Sequence, residues 1–197
     1  MWISTGALAR GGSGDEDAVA TVEYRTIAQG GSPFPVVLLA VVRGDYATPA
    51  LESVKDAFGS LTFVDVAAAR QLVAAASPPL ASACAVVLLA GGRTYVWASG
   101  SARLHRQRGG AVSELGPGEH DLLHGDVVAA VTAPLDVTVP WLTAVDVAGG
   151  AGRAQLGVAT FRNDGLDDAL SRALAKHAAH RGPLAVALAL VGYSAGA

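Results

Sequence analysis

The sequence places three carboxylates together near its N-terminus, in a position suited to metal chemistry. Asp15, Glu16 and Asp17 follow a glycine-rich turn and come directly before a strand-like run. Carboxylate oxygens are the ligands that hard divalent cations prefer. Three acids at a turn also commonly do no more than face water. The sequence therefore leaves two interpretations open here, a cation site and a solvated turn.

A second candidate for metal binding is the pair His120 and His124, four residues apart among carboxylates. On a helix this spacing would put both imidazoles on one face, where they could bind zinc. Gly118 and Gly125 bracket the segment, which favours a loop instead. Asp121 also stands after the first histidine, where the zinc-protease motif has glutamate. We therefore predict solvated histidines in a turn.

Residues 192–196 read Gly-Tyr-Ser-Ala-Gly and follow a strand-like run, as in the nucleophile elbow of a hydrolase. That elbow needs a helix after the serine, with the acid and the histidine later in the chain. The sequence provides none of these after Ser194, and it contains no phosphate-binding glycine motif. We assign neither a serine nucleophile nor a nucleotide site.

Two further features are expected to be structural. The lone cysteine, Cys84, lies in an apolar run and is predicted to be inert core. In the basic segment after residue 102, strand alternation puts Arg103 and His105 on one face and Arg106 and Arg108 on the other. The four side chains then form no single patch, and a solvated hairpin is predicted.

The composition excludes several classes of protein. Of the 197 residues, 51% are hydrophobic and 16% are charged, which excludes a disordered chain and allows a sizeable core. The longest apolar runs, 36–42 and 184–191, fall well short of the about 20 residues that span a bilayer. The net charge of −3 gives no basic surface for a nucleic acid. We expect one domain over residues 1–197, no membrane or nucleic-acid partner and, because no signal peptide is recognisable, a cytoplasmic location.

The elements that must position these residues come in blocks. Strands are predicted for residues 2–9, 18–28 and 36–42, with a turn over 30–35 between the last two. Two helices follow, one with Thr48 as N-cap and Gly59 at its end, the other opened by Asp65. Glycine pairs at 91–92 and 109–110 predict two hairpins.

The second half of the chain is predicted to add more strands and one helix. The strands cover residues 126–132, 141–147, 156–161 and 184–191, and the helix runs from Leu166 to about His180. Strands in blocks and helices in blocks, rather than strict alternation, favour an α+β fold with antiparallel sheets.

Five blocks of the sequence, taken in order, resemble the metal-dependent serine/threonine phosphatases of the PP2C (PPM) family. Residues 15–18 are similar to that family's N-E-D-A, and residues 41–44 are similar to its V-A-D-G. Residues 81–103 resemble its G-[ST]-T-A-V-V block, and residues 125–135 its G-D-x-L-L-L-C-S-D-G-L. Residues 166–191 resemble its closing helix and D-N-x-T-x-V-V-V strand. The resemblance implies an α-β-β-α four-layer sandwich, in which two antiparallel sheets are flanked by helices.

The resemblance also implies two metal ions held largely by aspartates, and this sequence departs from the family at those positions. Arg43, Ala133 and Gly182 stand where the family has aspartates. Hard cations need several anionic oxygens to offset the loss of their water, so metal binding is expected to be strongly impaired. The positions of this degenerate site are Glu16, Asp17, Arg43, Gly44, Ala133 and Gly182, and of these Asp17 is the expected metal ligand if the site is active.

Three interpretations of function follow. The first is a pseudophosphatase without a cofactor, a regulatory or scaffold module that binds a protein such as a phosphoprotein or a kinase, with Arg43 forming a salt bridge to Asp17. The second is a divergent active phosphatase that uses Mn²⁺ or Mg²⁺ in a rearranged site built from Glu16, Asp17 and Asp45, to which Asp126 or Asp164 could add a ligand. The third is an unrelated α+β binding protein.

Overall fold

Runs of apolar residues in the sequence form strands that are buried on both faces. The computed structural model describes residues 2–11, 16–29, 31–76, 81–133, 140–143, 146–147, 164–176 and 183–192. In these ranges the strands β4 (Ala83–Ala90), β9 (Val127–Val131) and β10 (Leu184–Gly192) are buried at every residue. Since a strand points its side chains alternately to the two faces of its sheet, such strands need apolar cover on both sides.

Two five-stranded antiparallel sheets contain all the described strands. The first sheet has the order β1-β10-β9-β6-β7, and the second has the order β2-β3-β4-β5-β8. The remaining strands are β1 (Trp2–Arg10), β2 (Asp17–Gln29), β3 (Ser32–Gly44), β5 (Arg93–Ser99), β6 (Arg103–Arg108), β7 (Ala111–Glu114) and β8 (Gly118–Asp121). The helices are α1 (Ala47–Gly59), α2 (Val66–Ala75) and α3 (Asp164–Lys176). None of the helices in the described ranges is long and apolar enough to cross a membrane.

Three apolar cores separate four layers, which confirms the predicted α-β-β-α sandwich. One core lies between the second sheet and the helices α1 and α2, one lies between the two sheets, and one covers the outer face of the first sheet, against which α3 packs. Burial of a leucine side chain contributes about 1.5–3 kcal/mol to stability. Fully buried leucines supply each core, namely Leu38, Leu72 and Leu88 in the first, Leu39, Leu89 and Leu104 in the second, and Leu142, Leu170 and Leu188 in the third.

The hairpin between β2 and β3 is tighter than the sequence indicates. The predicted turn over 30–35 is wrong, because β3 begins at Ser32 and pairs with β2 from its first residue. Pro33 and Pro35 therefore lie inside a strand. Since β4 pairs with β3 from Val36 onward, both prolines lie where β3 has a strand on one side only among the described residues. A proline is tolerated there, because it needs no partner for its missing N–H.

The helix starts were predicted with mixed success. Asp65 caps α2 as predicted, since its carboxylate accepts a hydrogen bond from the backbone N–H of Ala68 at 2.7 Å. The predicted N-cap of α1, Thr48, is wrong, because the helix begins at Ala47 and Tyr46 occupies the cap position without a side-chain hydrogen bond. Gly59 is the last residue of α1, as predicted.

The predicted strand over 141–147 is wrong in its described part. Residues 141–142 form a bend, and residues 146–147 are helical. Thr143 and Asp146 cap each other, since each side chain accepts a hydrogen bond from the backbone N–H of the other residue. This reciprocal pattern starts a helical turn and outweighs the β propensity of the segment. The predicted strand over 156–161 and the end of the last predicted helix, residues 177–180, lie outside the described residues.

The turn from β5 to β6 carries the chain from the second sheet to the first. Gly100 in this turn has a φ of 63°, and a Cβ placed on it would lie 2.1 Å from the carbonyl oxygen of Ser82. The hydroxyl of Ser101 donates a hydrogen bond to the carbonyl oxygen of Thr132, 2.9 Å away. These contacts join the start of β4 in the second sheet to the end of β9 in the first sheet.

We expect Gly100→Ala to destabilise the protein by about 2–4 kcal/mol, because it adds a backbone clash to the strain of a positive φ. Gly109 has a nearly equal φ of 57°, and a Cβ placed on it would meet no described atom within 4 Å, so Gly109→Ala should cost only about 1–2 kcal/mol. Urea unfolding of the two variants measures the difference. Equal losses would mean that the close approach of Ser82 is unimportant.

Candidate functional site

One end of the sandwich brings together the described positions of the degenerate site. Asp17 pairs with Gly44 across β2 and β3, and Arg43 pairs with Ala83 across β3 and β4. Ala133 follows β9 at the same end, because the β5–β6 turn joins the two sheets there. The antiparallel register therefore assembles positions that are more than a hundred residues apart in sequence. Gly182 lies outside the described residues.

The centre of this end is an ion pair between Arg43 and Glu16. The Nη2 and Nε atoms of Arg43 donate to the same carboxylate oxygen of Glu16, at 2.7 and 3.0 Å. The hydroxyl of Ser82 donates to the other oxygen at 2.7 Å and also lies 3.1 Å from the carbonyl oxygen of Arg43. Both oxygens of Glu16 are thus occupied by donors. The Arg43 and Glu16 side chains are 22% and 33% exposed, so solvent screens this pair only in part.

The expected partner of Arg43 was Asp17, and the structure corrects this to Glu16. Asp17 is exposed, and within the described part of the chain no side-chain hydrogen bond or ion pair involves its carboxylate. Alternation along β2 separates the two acids, since Glu16 lies just before the strand and Asp17 is its first residue.

The electrostatics of Glu16 follow from these contacts. Hydrogen bonds from the Ser82 hydroxyl and then from the Arg43 guanidinium hold the pKa of the Glu16 carboxyl below its ordinary value. The charged form of Glu16 is therefore the one that the fold stabilises. Sequence reasoning missed Ser82, because its role depends on the β3–β4 register and no pattern in the sequence marks it.

Among the described residues, the donors at this end do not fit two divalent cations. The Ala133 methyl is buried and offers no ligand atom. The permanently charged guanidinium of Arg43 is paired with Glu16. Asp45 is exposed but belongs to no metal-binding cluster among the described residues. Among the described residues no group of three histidine, cysteine, aspartate or glutamate side chains could hold a metal ion.

Asp126, a ligand proposed for the rearranged metal site, lies at the other end of the sandwich. It precedes β9, whereas Ala133 follows that strand. Its carboxylate is 1% exposed and accepts two hydrogen bonds from Arg108, at 2.7 and 2.8 Å, and one from the backbone N–H of Leu123 at 2.8 Å. Asp126 is therefore a structural residue that closes the turn before β9, and its inclusion in a metal site is wrong. The side chain of Asp164 lies outside what the structure describes.

The two histidines suggested as a zinc pair are also separated by secondary structure. His120 lies in β8, opposite Thr94 of β5, so the predicted loop is wrong at this residue. Its Nε2 atom lies 2.8 Å from the carbonyl oxygen of Gly116. His124 lies in the exposed turn that follows β8. Neither histidine belongs to a metal-binding cluster among the described residues.

The basic strand β6 is less solvated than predicted. His105 and Gln107 are buried on the outer face of the first sheet, where His105 stacks near Trp141 with ring centroids 5.9 Å apart. The amide of Gln107 makes two hydrogen bonds with the backbone of Leu142. Arg106 and Arg108 point to the opposite face and pair with Asp121 and Asp126. The alternation itself is as predicted.

The buried cysteine has the inert character expected of it. Cys84 is 1% exposed in β4, and burial raises the pKa of its thiol to about 12. The thiolate is therefore absent at neutral pH, and no thiol chemistry is expected.

The architecture defines a class of fold, that of PP2C-type phosphatases. The four layers and the two five-stranded antiparallel sheets agree with it. The fold expected under the third interpretation, one unlike that of the PP2C family, is therefore not the one observed.

Comparison with solved structures gives the same fold. The chain is similar to the serine/threonine phosphatase PstP/Ppp of Mycobacterium tuberculosis, with a TM-score of 0.60 and 11% identity over 98% of this chain and 100% of that one. It is similar to the catalytic domain of the phosphatase PstP in complex with two manganese ions, with a TM-score of 0.56 and 13% identity over 97% and 99% of the two chains.

A third similar structure contains the RsbU and RsbW domains of a Mycobacterium tuberculosis protein. The TM-score is 0.57 and the identity 15%, over 98% of this chain and 61% of that one. No protein-family model matches the sequence, and no curated protein is significantly similar to it. At these identities the comparisons establish a PP2C-like fold.

We expect Arg43→Ala to destabilise the protein by about 1 kcal/mol, because it removes a charge-assisted pair that is partly shielded from solvent. The matched control is Arg93→Ala, which breaks the more exposed pair with Glu119 and should cost no more than about 0.5 kcal/mol. Thermal or urea unfolding of both variants measures this. An unchanged stability of Arg43→Ala would show that the ion pair does not support the fold.

Acid titration of stability provides a second readout of Glu16. Because its pKa is lowered in the folded state, its contribution is present above the ordinary value of 4.5 and is lost as the pH falls through the lowered folded value. We therefore expect wild type to lose more stability than Glu16→Gln as the pH is reduced below 4.5. Parallel losses in the two proteins would contradict the assignment.

His105 should make stability pH-dependent in a higher range. Burial lowers its pKa from the ordinary 6.5, with Glu114 raising the pKa and Arg103 lowering it further. The neutral form is favoured in the folded state, so its contribution is present above pH 6.5 and is lost as the pH falls through the lowered folded pKa. Chemical unfolding from pH 7.5 downward should show wild type losing stability relative to His105→Phe. A constant difference between the two proteins would exclude this role.

Proposed function

We propose that this protein is a pseudophosphatase, a PP2C-like domain that binds a protein partner and does not hydrolyse phosphoproteins. The observation that carries the proposal is the ion pair between Arg43 and Glu16 at the end of the sandwich. By resemblance, Arg43 stands where the family has a metal-binding aspartate, so the guanidinium supplies positive charge at a place where a metal would.

Charge and coordination both oppose metal binding at this end. A divalent cation needs several anionic oxygens to replace its hydration shell. The two oxygens of Glu16 already accept from Arg43 and Ser82, and a bound cation would have to displace these donors and lie beside a permanent positive charge. In the described part of the chain, Asp17 and Asp45 are the exposed carboxylates left near the site, and two carboxylates are a poor set for two metals.

A binding role is consistent with the setting of one of the similar folds. The similar Mycobacterium tuberculosis structure contains an RsbU domain together with an RsbW domain. We propose by analogy that this chain also acts through a protein, with a phosphoprotein or a kinase as the partner class. It would then serve as a regulatory or scaffold module that needs no cofactor.

One observation favours a second candidate, a divergent metal-dependent phosphatase. The exposed carboxylate of Asp17 lies at the site end of β2 without an ion pair among the described residues, so it is available as a ligand. With Asp45 it could hold one Mn²⁺ or Mg²⁺ ion, which would lower the pKa of bound water and polarise a phosphoryl group. Asp17 would then be the principal metal ligand.

Hydrolysis of an aryl phosphate by pure protein separates the two candidates. We expect no turnover with manganese or magnesium above the level measured in chelator, and no change in thermal stability when manganese is added. Asp17→Ala is the control for adventitious activity, because it removes the principal ligand of the alternative. Metal-dependent turnover in wild type that Asp17→Ala abolishes would overturn the proposal.

A restoration experiment tests the role assigned to Arg43. The double variant Arg43→Asp/Ala133→Asp returns two carboxylates to the positions suggested by the resemblance, and it should gain manganese binding detectable by calorimetry. Arg43→Asn with Ala133→Asn is the matched control, since it removes the same cation without adding negative charge. Equal manganese affinity in wild type and in both variants would count against the proposed site.

A further inference from the structure

The longest sheet edge in the described part of the chain is β2. Its thirteen residues pair with β3 in an unbroken register from Asp17 to Gln29, and β2 ends the order of the second sheet. The opposite edge of that sheet, β8, is only four residues long. An edge strand presents a row of backbone N–H and C=O groups that another strand can pair with.

β2 lacks several of the devices that usually prevent such pairing. Short strands, bulges, prolines and lysines protect most natural edges. The sequence DAVATVEYRTIAQ contains no proline, glycine or lysine, and its register with β3 is continuous without a bulge. It is also rich in residues of high β propensity, namely Val19, Thr21, Val22, Tyr24, Thr26 and Ile27.

Two of the three charged residues of β2 lie close together at its middle, and the third, Asp17, begins the strand. Glu23 and Arg25 share the face of the strand that carries α1, since Lys55 of α1 lies 3.7 Å from Glu23 and the Phe58 carbonyl accepts a hydrogen bond from Arg25 at 2.6 Å. Tyr24, between them, points to the other face, where its hydroxyl bonds with Thr5, and it is 37% exposed. A groove of about 410 Å³ opens beside these residues, between β2 and α1.

We propose that β2 pairs antiparallel with β2 of a second copy of this chain, about a two-fold axis through Tyr24. The axis places Glu23 of each copy opposite Arg25 of the other, on the same face of one continuous sheet. Two opposite-charge pairs then flank the axis, and Tyr24 meets its own counterpart on the other face. At one end of the pairing Val19 of the first copy lies opposite Gln29 of the second. At the other end Gln29 of the first copy lies opposite Val19 of the second.

Charge complementarity selects both this register and this partner. A two-fold axis through Glu23 or through Arg25 would put like charges directly opposite each other, which is destabilising. An axis through Thr21 would pair Arg25 with Asp17 but leave Glu23 opposite Val19. The axis through Tyr24 gives both Glu23 and Arg25 a partner of opposite charge. It also pairs a longer stretch of β2 than the axis through Thr21 does. β1, the nine-residue edge of the first sheet, carries one charged residue, Arg10, and offers no such self-complementary pattern.

Sedimentation velocity over a range of protein concentrations tests the proposal. Wild type is expected to dimerise. Glu23→Arg and Arg25→Glu should each weaken the dimer by roughly tenfold or more, because each creates two like-charge pairs across the axis. The double variant E23R/R25E restores two opposite-charge pairs and should recover dimerisation. A loss caused merely by altered folding would not be recovered in this way.

The matched control is Glu119→Arg, which makes the same change of charge on β8, the other edge of the same sheet. It should leave the dimer unaffected. A wild type that stays monomeric would overturn the proposal and leave the edge to an extended segment of another protein. A dimer that responds equally to Glu23→Arg and Glu119→Arg, or that E23R/R25E does not recover, would also overturn it.

A disulfide test covers the case in which a charge variant fails to fold. In the proposed register residue 24 faces its own copy across the axis, within the Cα separation that a disulfide spans. Tyr24→Cys should therefore form a covalent dimer on mild oxidation, whereas Thr26→Cys, which faces Val22, should not. The native Cys84 is buried and does not contribute. Equal cross-linking of both variants, or none of Tyr24→Cys, would contradict the register.

Discussion

The structure depends on the burial of both faces of both sheets. Strands such as β4 and β10 carry no polar face, so neither sheet could face water on either side. The two sheets must cover each other and must also be covered from outside, which gives four layers and three cores. The chain satisfies this by crossing between the sheets several times, and at the β5–β6 turn the crossing requires a glycine under the carbonyl of Ser82.

Stacking the two sheets brings strand ends together, and polar residues collect at those ends because the interior is apolar. One such end holds the ion pair between Arg43 and Glu16. A guanidinium pair satisfies the local charge without a hydrated cation. The other end holds Arg108 and Asp126, whose carboxylate is fully buried and closes a turn. Each of these two ends is thus held by an arginine–carboxylate pair among the described residues.

Several parts of this arrangement could be predicted from local pattern. The glycine pairs at 91–92 and 109–110 adopt positive φ and form the predicted hairpins, because two-residue turns of this type need that conformation. Asp65 caps its helix for an equally local reason. The errors arose where a local signal competed with tertiary context or with another local signal. The prolines at 33 and 35 favour a turn, but they lie in β3, where it pairs with a strand on one side only among the described residues. The apolar segment from Trp141 favours a strand, but Thr143 and Asp146 cap a helical turn there.

The sequence by itself determined the α+β class and most of the described strands and helices, since these follow from residue types, apolar periodicity and short-range turn chemistry. Its resemblance to the PP2C family added the expectation of a four-layer sandwich, which the structure confirms. Only the tertiary structure decided that Glu16 is the carboxylate that pairs with Arg43 and that Ser82 donates to the same carboxylate. It also decided that Asp126 lies at the other end of the sandwich, paired with Arg108. These relations depend on strand register and on which ends of the two sheets coincide. A shift of one residue in register reverses the face of every side chain, so long-range pairing had to be known before the partners could be named.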